Sequence, residues 1–348
     1  MNIVIANKNF EQLGLLENAE VIWTTRYYKS GDFELYVSRN DYNLNLVLNG
    51  YYVIRTDENE DNIGVIEDIT ITNTPLQGDM IKVIGKLAQG FFLNSRVISQ
   101  QTQLYGNVQN AIRNLLVTNI INPVDTNRKI DFIELGEIDD SITENIEMQT
   151  TGDNLLTKIE EICEEKKIGF RMTLKDNRLI FKLYKGINRS YSQIDNPYVV
   201  FSDKYDNLSE SSYIRTISNV KNFAYVAGEG EGLDRRIVEA YSNTIPTGQD
   251  RFEVWVDQRN ISSNDEEITE AELTNQMFEE GLENLVGISE AIDGSIMLRG
   301  YTYKKEFSLG DIVELEQSQW GLGVSMRVIE CIESVNNTGK TVVLTFGN

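Results

Sequence analysis

No histidine occurs among the 348 residues. A Ser-His-Asp triad, a Cys-His pair and every His-ligated zinc site therefore lack their imidazole, and most hydrolase templates are closed to this chain. Cysteine is nearly absent as well. Cys163 and Cys331 lie far apart, give neither a zinc spacing nor a disulfide framework, and are expected as reduced, buried thiols. Only 4 prolines are present. No run of about 18 apolar residues appears, so no membrane span is expected. The opening MNIVIANKNF has no basic segment followed by an apolar one, so no signal peptide is expected either. Positive charge is in short supply: 32 Lys plus Arg stand against 54 Asp plus Glu, a net 32 − 54 = −22. Proteins that grip phosphates place Lys and Arg where they displace counterions, so this balance argues against a nucleic-acid binder. It does not argue against standing beside DNA without adhering. A Walker loop is missing, and the nearest glycine cluster, Gly228-Glu-Gly230-Glu-Gly232, carries carboxylates where phosphate needs open backbone donors.

What is present describes a folded soluble chain, with 41% hydrophobic and 25% charged residues and length enough for two or three cores. The expected class is α+β, mainly β: two small β-barrels with an inserted α/β domain. Residues 1–95 alternate as strands (Ile3–Ile5, Glu20–Trp23, Phe33–Val37, Tyr51–Arg55, Val65–Ile71, Met80–Ile84) and predict an N-terminal barrel or sandwich, completed by 200–227. Thr56–Asn62 reads as a solvated hairpin tip. Asp57, Asn59 and Asp61 occupy positions 1, 3 and 5 of a calcium-loop pattern, but Asn62 and Asp68 replace the glycine and glutamate such a loop needs. No cofactor is expected, and this trio is the weak metal candidate.

Residues 96–200 read as the α/β domain. Asn107 caps a helix carrying Val108, Ile112, Leu115 and Leu116, and Asp153 caps one whose apolar stripe is Leu155, Leu156, Ile159, Ile162 and Cys163. Glu160, Glu161, Glu164 and Glu165 fall on the wet side of the second helix. Gly169–Leu183 alternates as a hairpin turning at Lys175-Asp176-Asn177. Residues 228–348 predict the second barrel, with helix 269–286 opened by a Thr269/Glu272 capping box. Its strands are read at Phe252–Asp257, Ile296–Tyr303, Asp311–Leu315, Met326–Ile332 and Thr341–Phe346, with Asp293-Gly294 as a turn. The glycine-acid run 228–232 reads as a turn that needs permissive backbone.

Four segments resemble the hub proteins of long-tailed phages, the tail-tip family related to the baseplate hubs of contractile tails. They are Trp23-Thr-Thr-Arg26-Tyr27-Tyr28-Lys-Ser-Gly31-Asp32-Phe33; Gly85-Lys-Leu87 with Arg96; Asn219 through Gly228, Gly230, Gly232, Asp234 and Arg235, followed by Arg251 and Trp255 to Asp257; and Gly310-Asp311 with Gly323, Arg327 and Phe346-Gly347. The resemblance implies a structural protein without catalytic residues: a homotrimeric ring of alternating barrels that caps the tail tube and lines or gates the DNA channel. Implied partners are the tube or distal tail protein, the tape-measure protein and a downstream tip, spike or receptor-binding protein. DNA passes the lumen without specific binding, no stable membrane insertion occurs, and the place is the virion tail tip, assembled in host cytoplasm. With the chain stopping at Asn348, wall-degrading activity is expected elsewhere. Two other readings stay open: a wall glycosidase using paired carboxylates, which needs no histidine, and a carbohydrate-binding β-protein using Tyr27, Tyr28, Tyr51 and Tyr52.

Overall fold

Burial alternates along residues 32–38, where Phe33, Leu35 and Val37 are buried and their neighbours are wetter, whereas residues 52–55 are buried at every position. The structure, a computed structural model, describes residues 2–57, 60–75, 78–230, 232–258, 269–337 and 339–347. Two compact units form, one of residues 1–210 with 294–348 and one of residues 211–293.

The first unit begins with β1 (Ile3–Ala6), β2 (Gln12–Leu16), β3 (Glu20–Arg26), β4 (Asp32–Ser38), α1 (Asp41–Leu46), β5 (Tyr52–Arg55), β6 (Ile63–Thr74) and β7 (Gly78–Leu87). The middle block follows as α2 (Ala88–Asn94), β8 (Thr102–Asn107), α3 (Val108–Leu116), β9 (Ile133–Leu135), β10 (Asn145–Thr150), α4 (Leu155–Glu165), β11 (Gly169–Lys175) and β12 (Arg178–Tyr184). After β13 (Val200–Ser202) the chain enters β14 (Leu208–Thr216). The second unit holds β15 (Phe223–Ala227), β16 (Ile237–Ala240), β17 (Glu253–Asp257), α5 (Glu270–Glu283) and most of β18 (Ser289–Ile296), which pairs with β14. The first unit is completed by β19 (Ile312–Gln317), β20 (Leu322–Asn336) and β21 (Gly339–Gly347).

Where two barrels are predicted, the first unit has one open sheet, in the order β13-β19-β20-β3-β4-β7-β6-β5-β1-β2 with β21 on β20. Among the described residues no sheet closes. The reason is β20: its first half pairs with β19 and its second half with β3, so strands from both ends of the chain share one sheet. One face of the N-terminal strands encloses Trp23, Phe33, Leu35, Val53 and Val83. A second core joins Tyr52, Ile54, Ile63 and Val65 to α2, α3, α4 and the β11–β12 hairpin.

Local readings fare unevenly. Asn107 caps α3 as expected, and Thr269 with Glu272 closes a capping box on α5. The α4 cap is Asn154, which accepts the Thr157 N–H, while Asp153 takes the Thr150 hydroxyl. Residues 297–303 form no strand, because Gly300 and Lys304 sit at φ 80° and 71° and the chain turns there. Asp293-Gly294 instead lies inside β18.

Candidate functional site

Arg26, at the end of β3, holds the turn into β4. Its guanidinium reaches Asp32 and Glu330 at 2.6 Å each and donates to the Ser30 carbonyl at 3.0 Å. Trp23 and Phe33, opposite each other on β3 and β4, stack 5.5 Å apart. This clamp presents Tyr27, which is fully buried, to three distant loops. The Tyr27 hydroxyl donates to the Lys167 carbonyl (3.1 Å) and accepts the Gly186 N–H (3.0 Å). Burial pushes the phenol up to about 12. Gly310 lies against the ring at φ 93°, and its carbonyl accepts from Arg327, whose guanidinium sits 5.4 Å over the same ring. Asp311, 2% exposed, accepts the N–H groups of Ile187 (2.7 Å) and Ser308 (2.9 Å) and pairs with Arg189 (2.8 Å). Tyr27, Gly310 and Asp311, singled out separately in the sequence, thus form one junction.

Beside this junction opens a cavity of about 380 Å³, lined among others by Asp61, Arg171, Tyr184, Arg189, Lys304 and Asp311. Arg171 lies 3.7 Å over the Tyr184 ring and pairs with Glu60. Burial opposes its charge, but Tyr184, Asp61 and Glu60 outweigh burial and keep the guanidinium protonated. Asp61 is buried, and Trp23 Nε1 donates to its carbonyl at 3.0 Å. Burial pushes its carboxyl up against the pull of Arg171 and Lys304. The solvated hairpin tip is therefore corrected: Asp61 and Asn62 turn inward, Asn62 exchanging two hydrogen bonds with Leu174.

A carboxyl whose folded pKa is raised stabilises the fold while protonated, and that contribution is lost as pH rises through the folded value. Asp61→Asn is thus expected to match the wild type near the ordinary carboxylate range of about pH 4 and to exceed it at pH 7. Urea unfolding at both pH values checks this; an Asn variant weaker at pH 7 contradicts it.

Next to the cavity lies a charge cluster that the sequence reading missed. Glu333 on β20 and Arg55 on β5, 2% and 1% exposed, pair at 2.9 Å, with Asp57, Lys304 and Lys340 around them. The available signal is parity: Glu333 falls in the same inward phase as buried Cys331.

Asp57 pairs with Arg55, Asp61 faces the cavity, and Asn59 lies outside the described residues. Among the described residues no three acidic or cysteine side chains are grouped to hold a metal. Tyr27, Tyr28 and Tyr52, read as exposed sugar platforms, are 0%, 6% and 3% exposed and pack inside. Glu160, read as wet, is half-buried and accepts the Ser30 N–H at 2.8 Å, while Glu161, Glu164 and Glu165 stay exposed. Both cysteines are free and buried.

In the second unit, Gly230 and Gly232 take φ 97° and 58°, and a Cβ on Gly230 would meet the Asp234 carbonyl at 2.6 Å. That is the permissive turn expected for 228–232, apart from Glu231, which lies outside the described residues. Arg235 closes the turn, donating to the carbonyls of Gly228 and Ala227 at 3.0 Å each and pairing with Asp257.

Comparison with curated proteins gives no match. Among solved structures, the tail protein from Neisseria meningitidis MC58 superposes with a TM-score of 0.60 at 13% identity, over 100% of this chain and 96% of that one. Prophage tail protein gp18 from Listeria monocytogenes EGD-e gives 0.60 at 14% over 100% and 95%, and the 43 kDa tail protein of prophage MuSo2 from Shewanella oneidensis gives 0.57 at 11% over 100% and 98%. At such identities the likeness is one of fold. The family model for siphovirus ReqiPepy6 Gp37-like proteins matches residues 2–348, and on that match the chain belongs to the siphovirus ReqiPepy6 Gp37-like family.

Proposed function

We propose that the chain is a structural hub at the tip of a phage tail, assembling as a three-membered ring that caps the tube and surrounds the DNA path. The observation that carries this reading is the correspondence of the fold with tail proteins over 100% of this chain and 96% and 95% of theirs. The open sheet supports it. At one end the β13 edge is blunted, because Asn207 bonds both Ser202 N–H (2.7 Å) and the Val200 carbonyl (3.1 Å) and Tyr301 takes the Val200 N–H. The outer edges of β2 and β21 pair with no strand among the described residues. Free strand edges are templates for another chain, and a head-to-tail contact between two different edges closes into a ring when the rotation allows.

Three copies bring 3 × −22 = −66 of formal charge to the DNA path. An acidic wall repels phosphates, so the duplex slides past it. Light scattering and negative-stain imaging test the assembly. The expected result, alone or after adding tube protein, is a threefold ring with an opening, near 3 × 39.7 = 119 kDa. A monomer under both conditions would falsify the reading.

A further inference from the structure

The unit 211–293 carries 6 Lys plus Arg and 17 Asp plus Glu, so 6 − 17 = −11, half of the whole chain's −22. Its three-stranded sheet, in the order β16-β15-β17, buries one face under α5 through Ala224, Val226, Ala240 and Val256 against Met277. By alternation the opposite face presents Phe223, Tyr225, Ile237, Glu239 and Trp255.

On that face Phe223 is buried and Tyr225 half-buried, and the exposed apolar part is Trp255 with Ile237. Trp255 is 54% and Ile237 45% exposed. Tyr225 and Trp255 stand opposite each other in the parallel register, their rings 6.5 Å apart. Phe223 is 5.1 Å from Tyr225 and lies beneath Arg251, whose guanidinium is 3.5 Å from its centroid and donates to the Tyr225 hydroxyl at 2.7 Å. Arg235 sits 5.7 Å over Trp255. Each arginine is neutralised locally, Arg251 by Glu253 and Arg235 by Asp257. Glu239, exposed and opposite Tyr225, has no ion pair among the described residues.

We propose that this face docks a basic polypeptide, a partner protein presenting Lys or Arg with apolar side chains between them. An exposed Trp beside a half-buried Tyr, rimmed by charge, has the composition of a binding hot spot. The rings already take guanidinium groups from their own chain, which is the contact a partner cation would repeat. Net charge selects the partner: a second copy would bring −11 against −11, whereas a cationic segment meets an attractive field and an unpaired Glu239.

The test titrates the full chain with three labelled short peptides, one alternating Arg and Tyr, one alternating Glu and Tyr, and one alternating Ser and Tyr. Only the first is expected to bind, with affinity falling as salt rises. Trp255→Ala and Glu239→Lys should each weaken it about tenfold. The controls are Trp320→Ala, which removes another exposed tryptophan, and Glu137→Lys, which makes the same charge change in the other unit; both should bind as wild type. Equal losses in Glu239→Lys and Glu137→Lys would reduce the effect to general charge and overturn the proposal. So would absence of binding, preference for the Ser-Tyr peptide, or self-association abolished by Trp255→Ala.

Discussion

Glu333→Ala is expected to lower the stability of the large unit by roughly 3–5 kcal/mol, the cost of leaving a buried cation without its partner. Glu333 accepts from Arg55 at 2.9 and 3.3 Å, from Lys304 at 3.2 Å and from Lys340 at 2.7 Å. Arg55 is 1% exposed and would keep only Asp57. Burial alone would raise the Glu333 carboxyl, but the Arg55 hydrogen bond and the neighbouring cations override it and hold it at about 2, below its ordinary 4.5. A depressed pKa stabilises above the unfolded value and is lost as pH falls through the folded one. The wild type should therefore lose about 3 kcal/mol between pH 4.5 and pH 2. Urea unfolding across that window should show this acid limb in the wild type and a flattened one in Glu333→Gln. An unchanged limb would assign the acid sensitivity to other carboxylates. Replacing the pair by apolar residues of like volume, Arg55→Met with Glu333→Leu, should recover much of the loss.

Elements whose cause is local were legible in the sequence. The caps at Asn107 and Thr269, the stripe along α4 and the 169–184 hairpin each depend on residues a few positions apart. What failed depends on partners far along the chain. Barrel closure could not be judged, since β20 carries a bulge between Val328 and Glu330 and serves β19, β21 and β3 at once. Tyr27 and Tyr28 looked exposed because they run straight into the polar turn Lys29-Ser30-Gly31. They are buried by the 167–169 and 310 loops and by Arg327, none of which lies near them in sequence. Asp61 reads as a loop carboxylate for the same reason, and only the fold sets it beside Arg171 and Lys304. Tyr27, Gly310 and Asp311 lie in separate segments, and periodicity carries no sign that the fold gathers them into one junction.

Gly310→Ala should test that junction with an effect nearly as large as the loss of Glu333. Gly310 sits at φ 93°, in the region that favours glycine, and a Cβ there would lie 2.3 Å from Tyr27 Cε2. Tyr27 cannot retreat, because its hydroxyl is held by Gly186 and Lys167 and its ring lies edge-on to Tyr184 at 5.3 Å. Backbone strain of about 1–3 kcal/mol and overpacking of about 1–3 kcal/mol should together cost roughly 3 kcal/mol. The two terms separate in a double-mutant cycle. Tyr27→Ala removes the ring but not the positive φ, so Gly310→Ala made in that background should cost only the strain, about 1 kcal/mol, leaving a coupling of about 2 kcal/mol. Additive losses would mean that strain alone constrains Gly310 and that the ring contact carries no energy. A coupling of the expected size would make Tyr27 and Gly310 a single packing unit joining the two ends of the chain, acting beside the β20–β3 ladder and the Arg26–Glu330 and Arg55–Glu333 pairs.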